Sequence, residues 1–420
     1  MLSKRIPTIV LFLLASTFFA TTNFAQKVSD AAPKRIPATE FIIFPYDAIP
    51  LEIDSGVWGD LADADAVMKD IYDCGFNATV FIPAKHIKSA LPYNLAVILR
   101  DTRANPYFPE KADETIQTIL NEITTPEERK AIYASYVKDE PHSSLLPRLS
   151  LWSKAFKKQG ILPYINLFPE CTSATNWGAK DYEEYVDLFV AHCQPQCLSY
   201  DNYSLNDTKL KAELREDQFY SNLEIIRKKS FQYNIPFWNV ILGNTIFHYA
   251  EPSETTFRIQ VYSTLAYGGK GIGYYTYYTR PVGNYHLAPI DQFGYRTKTW
   301  NAMRSVNLQI HSLAPVYCQL KSVNVFHVQN VPKNCQGKDS TLHLKSISEG
   351  PFLVGEFVDP KGNPYVMVVN KNLQSSVEFN VAFKKEGRIV LISPYNKGKM
   401  PFEGEQCWLA PGAGVLLTVE

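Results

Sequence analysis

From residue 40 onward, short apolar runs alternate with longer polar stretches whose apolar positions recur at helical spacing. The runs are EFIIFPYD (40–47), NATVFIP (77–83), NLAVILRD (94–101), YASYVKDE (133–140), LPYINLFPE (162–170), CLSYDNY (197–203), PFWNVILGN (236–244) and GIGYYTYY (271–278). Their near-continuous apolar character suits strands of a parallel sheet buried on both faces. Helices are predicted between them over Ala62–Tyr72, Ala112–Ile123, Leu146–Gln159, Tyr182–Cys193, Glu216–Tyr233 and Ser253–Tyr267, with a last one at Trp300–Leu313. The segment between the second and third runs has the weakest helical pattern. Eight strand–helix units in about 280 residues predict a (β/α)8 barrel. An open doubly wound sheet is the alternative, but no Gly-rich dinucleotide fingerprint follows any strand.

From about Val323 the texture changes. VNVFHVQ, TLHLKSIS, FLVGEFVD, YVMVVNK, SVEFNVAF, RIVLISP and GVLLTV are short strand-like runs separated by turns, with no helical stretch between them. They predict an all-β sandwich of about 100 residues. The expected fold class is α/β: a (β/α)8 TIM barrel over residues 36–318, followed by an all-β sandwich over 320–420.

Residues 1–25 follow a third pattern. Lys4 and Arg5 precede TIVLFLLASTFFA, and small residues lead up to Gln26. This predicts a secretory signal peptide cut near Ala25. No cysteine precedes Cys74, so no lipoprotein start is expected, and no later segment has the apolar length of a membrane span. A secreted or periplasmic location follows as the expectation. Charge adds an exclusion. The 42 Lys and Arg balance the 42 Asp and Glu, leaving no basic surplus for nucleic acid or for an anionic membrane. The seven cysteines leave at least one free thiol. Export permits disulfides, with Cys318–Cys335 or Cys193–Cys197 as conceivable pairs, and buried free thiols are the plainer alternative. Their spacing forms no zinc framework, and no metal or cofactor is expected.

In such a barrel, chemistry sits at the carboxyl ends of the strands. The polar residues there begin with Tyr46 and Asp47, with Glu52 and Asp54 in the loop beyond. They continue with Asp139 and Glu140, Asn166 and Glu170, then Tyr200, Asp201 and Tyr203. Asn239 and Asn244 end the seventh run, and Tyr274, Tyr275 and Tyr277 lie in the eighth. The rim has acids, amides and aromatics but no Cys–His cluster and no phosphate-cradling glycine loop. Glycoside hydrolysis needs little else: one carboxylic acid to protonate the leaving oxygen, and a second negative group to stabilise, attack or activate.

Glu140 is the expected acid, because an anionic neighbour at Asp139 and partial burial both raise a carboxyl pKa. Pro141 biases Glu140 toward an extended backbone. Asp201 is the expected second catalytic carboxyl. Strand alternation puts it on one face with Ser199, and Tyr200 and Asn202 on the other. Substrate contacts are expected from Asp139, Tyr200, Glu170, Asn166, Asn239, Tyr275 and Tyr46. Taken alone, Asp-Glu-Pro is an acidic strand-to-loop junction, Asp201 a loop cap, Glu170 a solvated acid and His142 a loop histidine. Tyrosines alternate in the eighth run, so only those facing the barrel mouth can touch a ligand.

Several segments resemble the (β/α)8 glycoside hydrolases of clan A. KDEP (138–141) is similar to that clan's Asn-Glu-Pro, whose fourth-strand Glu is the acid/base. TLAYGGKGIGYYTY (264–277) resembles the entry to the eighth strand of secreted β-galactosidase-like barrels, and DCGFNATVF (73–81) the entry to the second. WLAPGAGVLLTV (408–419) resembles the closing strands of their C-terminal β-sandwich. The resemblance implies a secreted hydrolase of O-glycosidic bonds acting on oligo- or polysaccharides, with Glu140 as acid/base. Two positions depart from the pattern: Asp139 stands where the clan has Asn, and the seventh run ends without the clan's nucleophilic Glu. LSYDNY and the Asp-Glu pair are also similar to hexosaminidase barrels, in which a substrate's own 2-acetamido group attacks. That likeness implies Asp139 as the orienting acid, with Tyr200 and Asp201 holding the group. The departure on the seventh strand also admits a non-catalytic glycan-binding protein on a degenerate barrel.

Overall fold

The computed structural model describes residues 40–46, 63–208 and 211–420. The expected leader at 1–25, and Asp47, Glu52 and Asp54, lie outside these. The barrel strands are β1 (Ile42–Tyr46), β2 (Ala78–Ile82), β3 (Ala96–Leu99), β4 (Ile132–Asp139), β5 (Leu162–Leu167), β6 (Leu198–Asp201), β7 (Phe237–Leu242) and β8 (Gly271–Tyr275). All are parallel, in the hydrogen-bonded order β1–β8–β7–β6–β5–β4–β3–β2. The seam between β1 and β2 is closed by Asn77. Its backbone N–H donates to the Ile43 carbonyl at 3.2 Å and its Nδ2 to the Phe41 carbonyl at 2.8 Å, while Ile43 N–H donates to its Oδ1 at 2.8 Å. A side-chain amide thus supplies the pairing that a ninth strand edge would.

The longer helices are α1 (Ala64–Asp73), α2 (Ala112–Asn121), α3 (Leu146–Lys158), α4 (Tyr182–Cys193), α5 (Glu216–Tyr233), α6 (Glu254–Ala266) and α7 (Lys298–Tyr317). Short polar side chains cap several of them. Asp63 accepts from Asp65 N–H, Asp181 from Glu184 N–H, and Ser253 with Thr256 forms a capping box on α6. Between β2 and β3 only the single turn Ile87–Ala90 is α-helical, flanked by 3-10 turns. That is the unit whose sequence pattern is weakest.

The period of two along the strands separates two cores. One face packs under the helices; the other fills the barrel with Phe44, Tyr46, Val80, Ile98, Tyr164, Trp238 and Val240. Tyr164 and Trp238 stack at 5.8 Å, a geometry worth about 0.5–1.5 kcal/mol beyond burial. Two inward glycines of β8 make room for these rings. A Cβ at Gly271 would lie 2.6 Å from Trp238, and one at Gly273 2.7 Å from Phe44. The same alternation turns Tyr275 inward. It turns Tyr274 outward, where its hydroxyl donates to Asn307 of α7 at 2.8 Å.

The C-terminal strands are β9 (Lys321–His327), β10 (Phe352–Val358), β11 (Pro364–Asn370), β12 (Ile389–Ile392), β13 (Lys399–Pro401) and β14 (Gly414–Val419). They form one antiparallel sheet in the order β9–β10–β11–β14–β12–β13. Two short ribbons, Leu344–Ile347 with Val381–Phe383 and Val377–Glu378 with Trp408–Leu409, make the thinner second layer. One sheet face carries Leu353, Phe357, Met367, Val369 and Leu416 into the barrel's outer core. The other carries Val354, Val366, Val368 and Leu417 against Phe379, Phe383 and Leu409 of the ribbons. A Cβ at Gly355 would meet the Ala266 carbonyl at 2.1 Å, so β10 passes the end of α6 where only glycine fits. Barrel and sheet accordingly form one compact unit. All seven cysteines are free thiols, which corrects the conceivable pairs Cys318–Cys335 and Cys193–Cys197. Among the described residues, no helix is long and apolar enough to cross a membrane.

Candidate active site

β4 ends at Asp139, and Glu140 follows it with a positive φ of 43°. The extended backbone expected from Pro141 is therefore not adopted. Left-handed backbone at a non-glycine residue costs about 1–3 kcal/mol and persists where surrounding contacts hold it. Here Glu140 N–H donates to the Asn166 carbonyl of β5 at 2.8 Å. The turn has a geometric consequence. Consecutive strand residues point to opposite faces, but the left-handed step lets Asp139 and Glu140 share one neighbourhood. The Asp139 charge acts on Glu140, and both act on Asp201 of β6.

Asn166 joins the acids. Its Nδ2 donates to Asp201 Oδ1 at 2.8 Å and lies 3.3 Å from Asp139 Oδ1. Its Oδ1 accepts from Ser199 Oγ at 2.8 Å, and Ser199 in turn sits 2.9 Å from the Tyr164 hydroxyl. A chain from the aromatic floor of the barrel thus fixes which end of the amide faces the carboxylates. Tyr46 completes the support, its hydroxyl donating to Asp139 Oδ1 at 2.6 Å. Burial first, and then the Asp139 charge, push the Tyr46 phenol well above its ordinary pKa, so it stays a donor.

Electrostatics favour protons on two of the three acids. Burial, and then the Asp139 charge, raise Glu140 to about 7, with Lys138 opposing. Burial, and then the charges of Glu140 and Asp139, raise Asp201 well above the carboxylate range, against the Asn166 hydrogen bond. Their accessibilities differ. Asp201 is 6% exposed, whereas Asp139 and Glu140 are half-buried. Among the described residues, no three His, Cys, Asp or Glu are grouped as metal ligands.

Of the other expected residues, Tyr275 faces the mouth. Its ring lies 6.3 Å from Tyr46 and stacks on Tyr203 at 5.4 Å, and its hydroxyl meets that of Tyr285 at 2.6 Å. Tyr200 and Asn239 do not join the group. Strand parity turns both outward: Tyr200 is fully buried in the core beneath the helices, and Asn239 donates to Thr264 of α6 at 2.9 Å. Glu170 also stands apart. Its backbone N–H donates to Asn222 at 3.0 Å; burial raises its carboxyl, and the opposing charge is Lys333 of the C-terminal region. His142 caps the turn at Ser143–Leu145 by accepting from Ser144 N–H. Asn244 is fully buried. Sequence reasoning missed Tyr164 as a supporting residue. Its signal was parity, since Tyr164 and Asn166 share a strand face.

No protein-family model matches the chain, and no curated protein sequence matches it. Among solved structures it is similar to a β-galactosidase from the psychrophilic Marinomonas ef1, at 10% identity and a TM-score of 0.48 over 67% of this chain. The match spans 62% of that protein's length, under two-thirds of it. It is also similar to a gamma-CGTase from alkalophilic Bacillus clarkii, at 10% identity and a TM-score of 0.48, covering 92% of this chain and 71% of that one. A third is an arabinofuranosidase from Xanthomonas axonopodis pv. citri, at 10% identity and a TM-score of 0.45, covering 93% and 98%.

Proposed function

We propose that the protein is a glycoside hydrolase cleaving O-glycosidic bonds, with Glu140 as general acid/base. The observation that carries this is the half-buried Glu140 carboxyl raised to about 7 at the carboxyl end of β4, beside Asp139 and near buried Asp201. A group poised near neutrality can give a proton to a leaving glycosidic oxygen and then take one from water. The rings of Tyr275 and Tyr203 offer apolar faces for a sugar, and Asp139 offers a carboxylate for its polar groups. The leader pattern of residues 1–25 supports action outside the cytoplasm, secreted or periplasmic.

One observation favours a substrate-assisted variant. Among the described residues, the stretch after β7 has no acid near Leu242, and Asp201 is too buried to attack a sugar carbon. A substrate's own 2-acetamido group would then act as nucleophile, with Asp139 orienting its N–H and Glu140 protonating the leaving oxygen. The supporting feature is Asp139 itself, held by Tyr46 and Asn166 next to the acid.

The test is hydrolysis of a panel of aryl glycosides, including 2-acetamido sugars, by the wild type and by Glu140→Gln. Loss of a general acid should lower kcat by about 100- to 10,000-fold, with an unchanged melting curve at acidic pH. Near-normal turnover by the variant removes Glu140 from the role. Cleavage restricted to 2-acetamido substrates, lost in Asp139→Asn, selects the substrate-assisted variant. Binding of glycans without any release identifies a non-catalytic carbohydrate-binding protein instead.

A further inference from the structure

The loop after β7 presents an aromatic ring that the barrel does not use. Phe247 is 69% exposed. A single exposed apolar residue is ordinary on a protein surface, but the backbone of this one is not ordinary. Its φ is +54°, a conformation that bulky L-residues rarely adopt. Both of its main-chain polar groups are tied to one side chain. Phe247 N–H donates to Asn284 Oδ1 at 2.9 Å, and Asn284 Nδ2 donates to the Phe247 carbonyl at 2.8 Å.

The loop is secured on both sides. Thr245 and His286 exchange backbone hydrogen bonds at 2.9 and 3.1 Å. Asp207 N–H donates to the His248 carbonyl at 2.9 Å, and Ala250 N–H to the Leu205 carbonyl at 3.0 Å. Segments following β6 and β8 therefore grip the loop from opposite flanks. The result is a costly backbone tied by hydrogen bonds on both sides, with the ring gaining little burial in return. Strain retained in this way is characteristic of ligand-contacting positions.

The ring is also the outer end of a series. Phe247 contacts Tyr249 at 6.2 Å, Tyr249 contacts Tyr203 at 6.1 Å, Tyr203 stacks on Tyr275 at 5.4 Å, and Tyr275 lies 6.3 Å from Tyr46. Tyr46 holds Asp139. Exposure falls inward, from Phe247 through the half-buried Tyr249, Tyr203 and Tyr275 to buried Tyr46. The path is longer than one sugar ring.

We propose that Phe247 is a distal stacking platform, and that the ligand is an oligosaccharide or polysaccharide chain running along the wall Phe247–Tyr249–Tyr203 to the carboxylates, rather than a single terminal sugar. The proposal rests on the site being a carbohydrate site, and Phe247 determines chain-length preference without touching the bond cleaved. Aromatic faces suit this role because the C–H face of a pyranose is apolar while its hydroxyls stay solvated at the edge.

The experiment uses full-length Glu140→Gln, so that binding is measured without cleavage. It is titrated with cello-, xylo-, chito- and galacto-oligosaccharides of increasing length. Phe247→Ala in that background should weaken the longer ligands by about five- to tenfold, the scale of one lost aromatic contact. Monosaccharide affinity should not change. Phe247→Gly should lose the same affinity while its melting temperature rises, because glycine relieves the left-handed backbone. In the active enzyme, KM for long substrates should rise in Phe247→Ala, with kcat on aryl monoglycosides unaltered. Equal affinity for long ligands with and without the ring overturns the proposal, as does an equal loss for monosaccharides, or no binding to any of these series. Absence of turnover together with a length-dependent loss would reject the hydrolase reading and leave the stacking platform standing.

Discussion

Asn166 and Asp201, on adjacent barrel strands, are joined by a 2.8 Å hydrogen bond, and the donating amide nitrogen lies 3.3 Å from Asp139 as well. One neutral side chain thus sits between two carboxyls that would otherwise repel at close range. It is oriented from below by Ser199. This arrangement places an amide donor between two acids at one mouth, while Lys138 opposes the raised pKa of the third, Glu140.

Asn166→Ala should lower kcat by about 10–100-fold, since small displacements of reacting groups are costly. Ser199→Ala, which only frees the amide to rotate, should have a smaller effect in the same direction. Steady-state kinetics on a cleaved aryl glycoside, with melting curves as the control for folding, measure both. Wild-type kcat in Asn166→Ala would show that the bridge does not position the acids.

The raised Glu140 sets two pH dependences. In activity, the basic limb should lie near pH 7, where the acid loses its proton, and it should be absent from the residual activity of Glu140→Gln. In stability the sign is opposite to that of a salt-bridged acid. The folded state keeps a proton that the unfolded chain releases at the ordinary Glu value, so stability falls as pH rises from about 4.3 toward 7. Glu140→Gln should flatten that decline and gain about 1–3 °C in melting temperature above neutrality. Parallel melting curves across pH for variant and wild type would contradict the raised value.

Glu356, fully buried in β10, anchors the loop before the first ribbon. Its carboxylate accepts from Asn324 Nδ2, Thr341 Oγ1 and the N–H groups of Leu342, His343 and Leu344. Burial pushes its pKa up, but the hydrogen bonds outweigh it and hold the group below the usual Glu range. The stabilisation is therefore present above the unfolded Glu value and is lost as pH falls through the lower folded one. Glu356→Gln turns an amide N–H toward this set of donors and should cost about 2–3 kcal/mol, read as a lower denaturant midpoint at neutral pH. The loss should shrink in acid.

Lys371 links the sheet to the barrel. Its Nζ lies 2.6 Å from Glu216, the first residue of α5, and 3.1 Å from the Asn330 carbonyl, with its side chain 1% exposed. Lys371→Met keeps the stem but leaves both acceptors without the cation, at a cost of about 1–3 kcal/mol. Chemical denaturation measures the cost. A catalytic kcat that stays unchanged at low temperature would separate this effect from the site.

The elements were legible because they depend on local pattern. Continuous apolar runs and helical spacing placed all eight barrel strands, and the weak second unit proved to be the one with a single helical turn. The period of two also foretold that Asp201 would share a face with Ser199, and that only some of the tyrosines in the eighth run would face inward. Tyr200 and Asn239 lie at the rim along the chain, but that same parity turns both beneath the helices.

What the sequence determined by itself was therefore the order of strands and helices, the change to an all-β region, and the presence of an acid pair at the end of β4. Tertiary structure decided which acids meet. The left-handed turn at Glu140 depends on a β5 carbonyl, the aim of Asn166 depends on Ser199 and Tyr164, and the separation of Glu170 depends on how the chain leaves β5. Periodicity is written in neighbouring residues, whereas convergence at a barrel mouth is set by pairing between strands far apart in the chain.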